Sequence, residues 1–141
     1  MELHKGVPLD QLMPESLDEI IRTNRDRMRL YRSTGAELDA LRTLVPAAIV
    51  KAVISHWCFI SISQPGEAAP QVCLTGYNLA ERSSWMTSQV MGISRNAVAT
   101  RSGSVYLLDG EKSDELDLPF ICATLNHWGI GQHFGVPPFF F

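Results

Sequence analysis

Along the chain the apolar positions change their period twice, marking off helices, then a run of strands, then a closing helix. Residues 1–14 hold Pro8 and Pro14 and no period, and read as an irregular N-terminal arm. From residue 15 or 16 to about 33, Leu17, Ile20, Ile21, Met28 and Tyr31 fall on one helical face, and Gly35 is placed to end that helix. A second helix is expected over about 36–44, where Leu38, Leu41 and Leu44 recur at intervals of three. Residues 46–62 carry a mixed signal. Pro46 suits a first helical turn and Ile49, Val53 and His56 keep helical spacing, whereas Trp57 to Ile62 is built of β-formers. The expectation is a short helix followed by a strand.

A loop rich in Pro and Gly over 64–70 leads into strand-like segments at 71–78, 85–93, 97–100 and 105–108. Ser94-Arg95-Asn96 and Arg101-Ser102-Gly103-Ser104 serve as hairpin turns, and connections this short imply sequential antiparallel pairing. After an acidic loop at 111–115, Asp117 is a candidate N-cap and Pro119 lies in the first turn of a last helix. Phe120, Ile121, Leu125 and Trp128 give that helix an apolar face, and Gly129 stops it. Residues 134–141 form an apolar tail. The order implies an α+β fold: an antiparallel sheet of four or five strands, curled towards a barrel and covered by two or three helices, in a single domain over 1–141.

Composition narrows the setting. With 141 residues, 45% of them hydrophobic and 19% charged, the chain can bury a core without a metal or disulfide. Cys58, Cys73 and Cys122 are odd in number and widely spaced, which is no disulfide framework; each has apolar neighbours, as buried thiols do. Met1-Glu2-Leu3-His4-Lys5 leads into no apolar export segment, and the stretch 45–54 is interrupted by Pro46 and Lys51. A cytoplasmic protein without a membrane span is expected. The net charge of −3 argues against bulk attraction to nucleic acid or anionic lipid.

Catalytic motifs are lacking, and no catalytic residue, metal or cofactor is assigned. His127 and His133 flank Gly129-Ile130-Gly131 and could approach one another, but they have no carboxylate or thiol nearby in sequence. In a strand His56 and Cys58 would share a face, whereas in a helix Cys122 and His127 diverge by roughly 140°. Two features suit a partner surface. Arg22, Arg25, Arg29 and Arg32, spaced 3, 4 and 3, would line one helical stripe able to grip phosphates or an acidic protein. A solvated face is the plainer account, with Asp18 paired to Arg22 and Asp26 to Arg22 and Arg29. Phe139, Phe140 and Phe141, after Pro137-Pro138, must bury their rings in this domain, in a homodimer mate or in another partner. The strand aromatics Trp57, Tyr77, Trp85 and Tyr106 could stack bases but fit core packing better.

Thr87-Ser88-Gln89-Val90, with Val98-Ala99-Thr100-Arg101-Ser102-Gly103-Ser104-Val105-Tyr106-Leu107-Leu108, resembles a hairpin pattern of small uncharacterised proteins of bacteria, their plasmids and prophages. The resemblance covers about residues 85–110, implies a mobile-element accessory protein and carries over no catalytic residue. The reading that follows is a small non-enzymatic interaction protein, a regulator or inhibitor from a phage or plasmid that binds a protein complex, for example an anti-defence protein. Its partner-binding residues would be Arg22, Arg25, Arg29, Arg32, Phe139, Phe140 and Phe141. The alternative is a nucleic-acid-binding module using the arginine stripe and sheet aromatics. A third is a ligand binder or small enzyme with a pocket of Trp57, Tyr77, Tyr106 and His127.

Overall fold

The computed structural model describes residues 28–136 except Ala47 and Pro65. Strand β1 (Arg29–Arg32) is followed by helix α1 (Gly35–Ala40), then by β2 (Val50–Ser63), β3 (Gln71–Asn78), β4 (Ser83–Ser94), β5 (Ala97–Thr100) and β6 (Val105–Leu108). Helix α2 (Leu118–His127) and a 3-10 turn (Gly131–Phe134) complete the order. The architecture is α+β and mostly antiparallel sheet, but six strands are described rather than four or five. Among the described residues the helices are few and short.

The strands pair in sequence order, and β6 returns to pair with β2. Five strands that run up and down alternately must close in parallel, and β6 does run parallel to β2, through Val50↔Val105 to Ile54↔Leu108. This closure uses only the first part of β2. Farther along the same edge β1 pairs antiparallel, from Arg29↔Ser63 to Arg32↔Ile60. The sheet is therefore curled back on itself without forming a regular barrel.

Three expectations about helices are corrected. Residues 29–32, assigned to the end of the first helix, are extended, because pairing to Ile60–Ser63 supplies their backbone partners. Residues 50–56, expected to be helical, belong to the fourteen-residue β2, whose β-branched Val50, Val53 and Ile54 lie between β6 and β3. The second helix stops at Ala40 instead of running to 44. Beyond it the chain straightens along β4, where Thr43 N donates to Ile93 O at 3.1 Å and Ile93 N to Leu41 O at 2.9 Å.

Other boundaries agree with the hydrophobic pattern. β3, β5 and β6 have the expected limits, and Arg95-Asn96 makes the turn between β4 and β5. Asp117 caps α2 by accepting from Phe120 N at 3.1 Å, and Gly129 at φ 81° leads the chain out of it. Trp128, expected on the apolar face, lies just past the helix and is partly exposed.

Apolar side chains bury on both faces of the curled sheet. An inner cluster joins Ala52, Ile54, Phe59, Val72, Leu74, Val90, Ile93, Val98 and Tyr106, with Leu38 and Leu41 packed against it. An outer cluster joins Leu30, Ile60, Ile62 and Cys73 to Ile121, Cys122 and Leu125 of α2 and to Phe134 and Val136. Of the expected apolar tail, Phe134 and Val136 thus close the outer core. Strict alternation along β2 would place residues 52, 54, 60 and 62 on one face. The register shifts between Ser55 and Cys58, so that His56 and Trp57 together oppose Gly76, and the alternation inverts. One bulge thereby lets one strand serve two cores.

Short α1 is held by polar contacts. Thr34 and Glu37 form a capping box, Tyr31 OH donates to Glu37 Oε2 at 2.6 Å, and Ser61 Oγ donates to Glu37 Oε1 at 2.8 Å. Desolvation alone would raise the Glu37 carboxyl, but hydrogen bonds from Tyr31, the Thr34 backbone, Ser61 and the Thr34 hydroxyl hold it below its ordinary 4.5. Burial, then the adjacent Glu37 carboxylate, push the Tyr31 phenol up to about 12.

Candidate functional site

The bulge that redirects β2 also opens the surface above it. His56 adopts φ 50°, a left-handed conformation uncommon for a residue with a side chain, and bulges of this kind recur beside functional sites. Opposite it, only glycine fits: a Cβ on Gly76 would lie 2.6 Å from Ile54 Cγ2 and 2.7 Å from Ser55 O. Tyr77, which pairs with Ser55 across β2 and with Ser84 across β4, has its ring at the surface.

The segment after β6 forms the facing wall. It continues along the β2 edge that β6 leaves, with Asp109 N donating to Ile54 O at 2.9 Å and Ser113 N to Trp57 O at 2.8 Å. Trp57 Nε1 donates to Gly110 O at 3.1 Å, and Arg32 donates to Asp114 O at 2.5 Å. At the start of α2 Ser84 Oγ donates to Asp117 Oδ2 at 2.6 Å, joining this wall to β4. Between the walls is a cleft of about 450 Å³, with His56, Thr75, Gly76, Tyr77 and Ser84 on the sheet side and Ser113, Glu115, Leu116 and Asp117 opposite. Residues 109–117 carry five carboxylates (Asp109, Glu111, Asp114, Glu115, Asp117) and one cation, Lys112.

Three hydroxyl protons at this cleft, those of Thr75, Ser84 and Ser113, are already committed. Thr75 Oγ1 donates to Trp85 O at 3.1 Å, Ser113 Oγ to Glu115 O at 3.0 Å, and Ser84 Oγ to Asp117. These hydroxyls offer lone pairs to anything entering. Ser55 Oγ lies 3.3 Å from His56 Nδ1, but Ser55 is buried and forms no part of the cleft wall. A second, more polar cleft of about 360 Å³ is lined by Gln64, Glu67, Gln71, Gln89 and Arg101.

The residues expected to form sites are placed differently. Arg22, Arg25, Phe139, Phe140 and Phe141 lie outside the described residues. Arg29 and Arg32 lie three apart on a strand and point to opposite faces, so the stripe does not continue through them. Arg32 also reaches Cys58, with Nη1 3.7 Å from Sγ. The pocket sketched from Trp57, Tyr77, Tyr106 and His127 does not assemble. Tyr106 is buried in the inner core, where Trp85 Nε1 donates to its hydroxyl at 3.2 Å, and Trp57 packs edge-on to Phe59 at 5.7 Å. Of the four strand aromatics, Trp57, Trp85 and Tyr106 belong to the inner cluster and Tyr77 alone does not.

The three cysteines are buried and free, as expected. Burial pushes the Cys73 thiol up to about 12 and Cys122 to about 11, and it raises Cys58 against the attraction of Arg32 and Lys112. Thiols held neutral in this way are poor nucleophiles. The bulge puts exposed His56 and buried Cys58 outside the shared-face relation that plain alternation implies. Among the described residues no group of three or more His, Cys, Asp or Glu could hold a metal ion, and no helix is long and apolar enough to cross a membrane.

Sequence reasoning passed over His56 as a bulge residue, along with Gly76, Ser84, Glu115 and Asp117 as cleft walls. A glycine inside an otherwise β-forming run was the available signal, since it marks a bulge or a close backbone approach. No family model, curated protein or solved structure matches this chain.

Proposed function

We propose that this is a non-enzymatic interaction protein that acts by binding a protein partner, and that the cleft at the β2 bulge receives a side chain of that partner. The observation that carries the reading is the bulge itself. A left-handed His56 and an obligatory Gly76 hold open a cleft, rimmed by an exposed Tyr77, on a sheet whose other large rings are turned inward. Tyrosine is among the residues that most often anchor protein interfaces. The packing of Trp57, Trp85 and Tyr106 into the core leaves a base-stacking reading without its platform. The hairpin resemblance to plasmid and prophage proteins supports a regulator or inhibitor of that setting, such as an anti-defence protein.

A photo-crosslinking residue at position 77, compared with one at the exposed Met91, tests the site. The expected result is a discrete adduct with one host or mobile-element protein from position 77 and none from position 91. Equal adducts from both positions, or none from 77, would overturn the reading.

A further inference from the structure

Resting on the partner-binding reading of this cleft, we infer that the group it receives is a guanidinium, that of an arginine in a basic segment of the partner. Hydrogen-bond polarity carries the inference. Thr75, Ser84 and Ser113 each direct the hydroxyl proton to a protein acceptor, so towards a ligand these hydroxyls can act only as acceptors. Both Asp117 oxygens already accept, from Phe120 N and from Ser84, whereas the Glu115 carboxylate is exposed at the rim and has no donor among the described residues. Among the described residues no lysine or arginine lines the cleft. Carboxylates on the loop wall thus face the cleft without a lysine or arginine among its lining residues, and a cationic ligand rich in donors is the complement.

A guanidinium fits this combination better than an ammonium. It is planar, so it can lie on the exposed Tyr77 ring, and its paired N–H groups match the two oxygens of a carboxylate such as Glu115. Leu116 offers an apolar surface for the methylene stem. The surplus of carboxylates over 109–117 draws a basic segment to the same wall.

The test titrates the full-length protein with blocked Gly-Gly-Xaa-Gly-Gly peptides bearing arginine, lysine, citrulline or glutamate at the centre, and with agmatine. Amide shifts of residues 75–77, 84 and 113–117 are followed by NMR. The arginine peptide should bind saturably at those residues, with citrulline, its neutral isostere, about tenfold weaker or more. Glu115→Gln and Tyr77→Ala should each weaken the arginine peptide severalfold, with Tyr77→Phe restoring it and melting temperatures unchanged. Citrulline or glutamate binding as tightly as arginine would overturn the inference, as would a lysine peptide of equal affinity. So would the absence of any shift at the cleft. Agmatine binding more tightly than the peptide would also overturn it, pointing to a small free guanidine. If crosslinks from position 77 persist through any of these failures, partner binding stands and only the guanidinium falls. If the arginine peptide binds but no partner crosslinks, the converse holds.

Discussion

A single methyl group decides the bulge. Added to Gly76 it would press on Ile54 Cγ2 and on the Ser55 carbonyl, and the second of these is backbone held within the sheet. Gly76→Ala should therefore cost about 1–3 kcal/mol, as overpacking does, and should disturb the cleft as well. Gly35 supplies the control, because nothing lies within 4 Å of a Cβ there and its backbone lies outside the left-handed region. Gly35→Ala at the start of α1 should be neutral or stabilising by up to about 1 kcal/mol. Urea titrations of both variants check the pair, and equal stabilities would remove Gly76 as the residue that permits the bulge. His56 is constrained from the other side. At φ 50° a β-branched residue is strongly disfavoured, so His56→Val should destabilise more than His56→Gly. The same urea titration reads that difference.

At the scale of elements, the pattern was readable wherever local signals and tertiary pairing agreed. β3, β5 and β6 are short runs containing β-formers that end at turn residues, and α2 carries its own cap in Asp117. It failed where long-range pairing overrode local spacing. Arg29–Arg32 keeps helical spacing with the chain before it, yet β2 fixes it as a strand from residues about thirty positions away. Val50–Ile54 follows a proline that suits a helix start, yet it sits between β6 and β3. The cleft was legible only through Gly76, because its far wall is a polar loop placed by backbone bonds to Ile54 and Trp57 that no local pattern encodes. The contact of β1, α1 and β2 through Tyr31, Glu37 and Ser61 gives a pH signature. Glu37 is lowered in the folded protein, so its contribution is present above its ordinary 4.5 and is lost as pH falls through the lower folded value. Tyr31 is raised from 10.0 to about 12, so its contribution is complete below 10 and disappears as pH climbs through that interval. Glu37→Gln should flatten the acid limb of a stability–pH curve, and Tyr31→Phe the alkaline limb. At neutral pH Tyr31→Phe should cost about 1–2 kcal/mol by removing a donor to a carboxylate. Limbs that keep their slopes in the variants would show that this cluster does not link folding to pH.

The whole molecule rests on β2 serving two cores at once. Ile54 and Phe59 enter the inner cluster while Ile60 and Ile62 enter the outer one, and the bulge between them fixes which face each reaches. A register slip of one residue in β2 would expose both sets together. The two clusters should therefore not melt separately, although α2 and Phe134 lie in one and β5 lies in the other. Phe134 is fully buried and closes the outer cluster against α2, so Phe134→Ala should cost about 3–5 kcal/mol through lost burial and the cavity left behind. Val98 is fully buried in β5 on the inner side, and Val98→Ala should cost less because fewer methyl groups are removed. If the cores are coupled through β2, native-state hydrogen exchange in Phe134→Ala should show the most protected amides of α2 and of β5 accelerated by the same factor. Val98→Ala should likewise lower protection in α2 as well as in β5. Acceleration confined to the mutated side would mean that each core opens alone, and that the bulged strand separates two cooperative units instead of joining them.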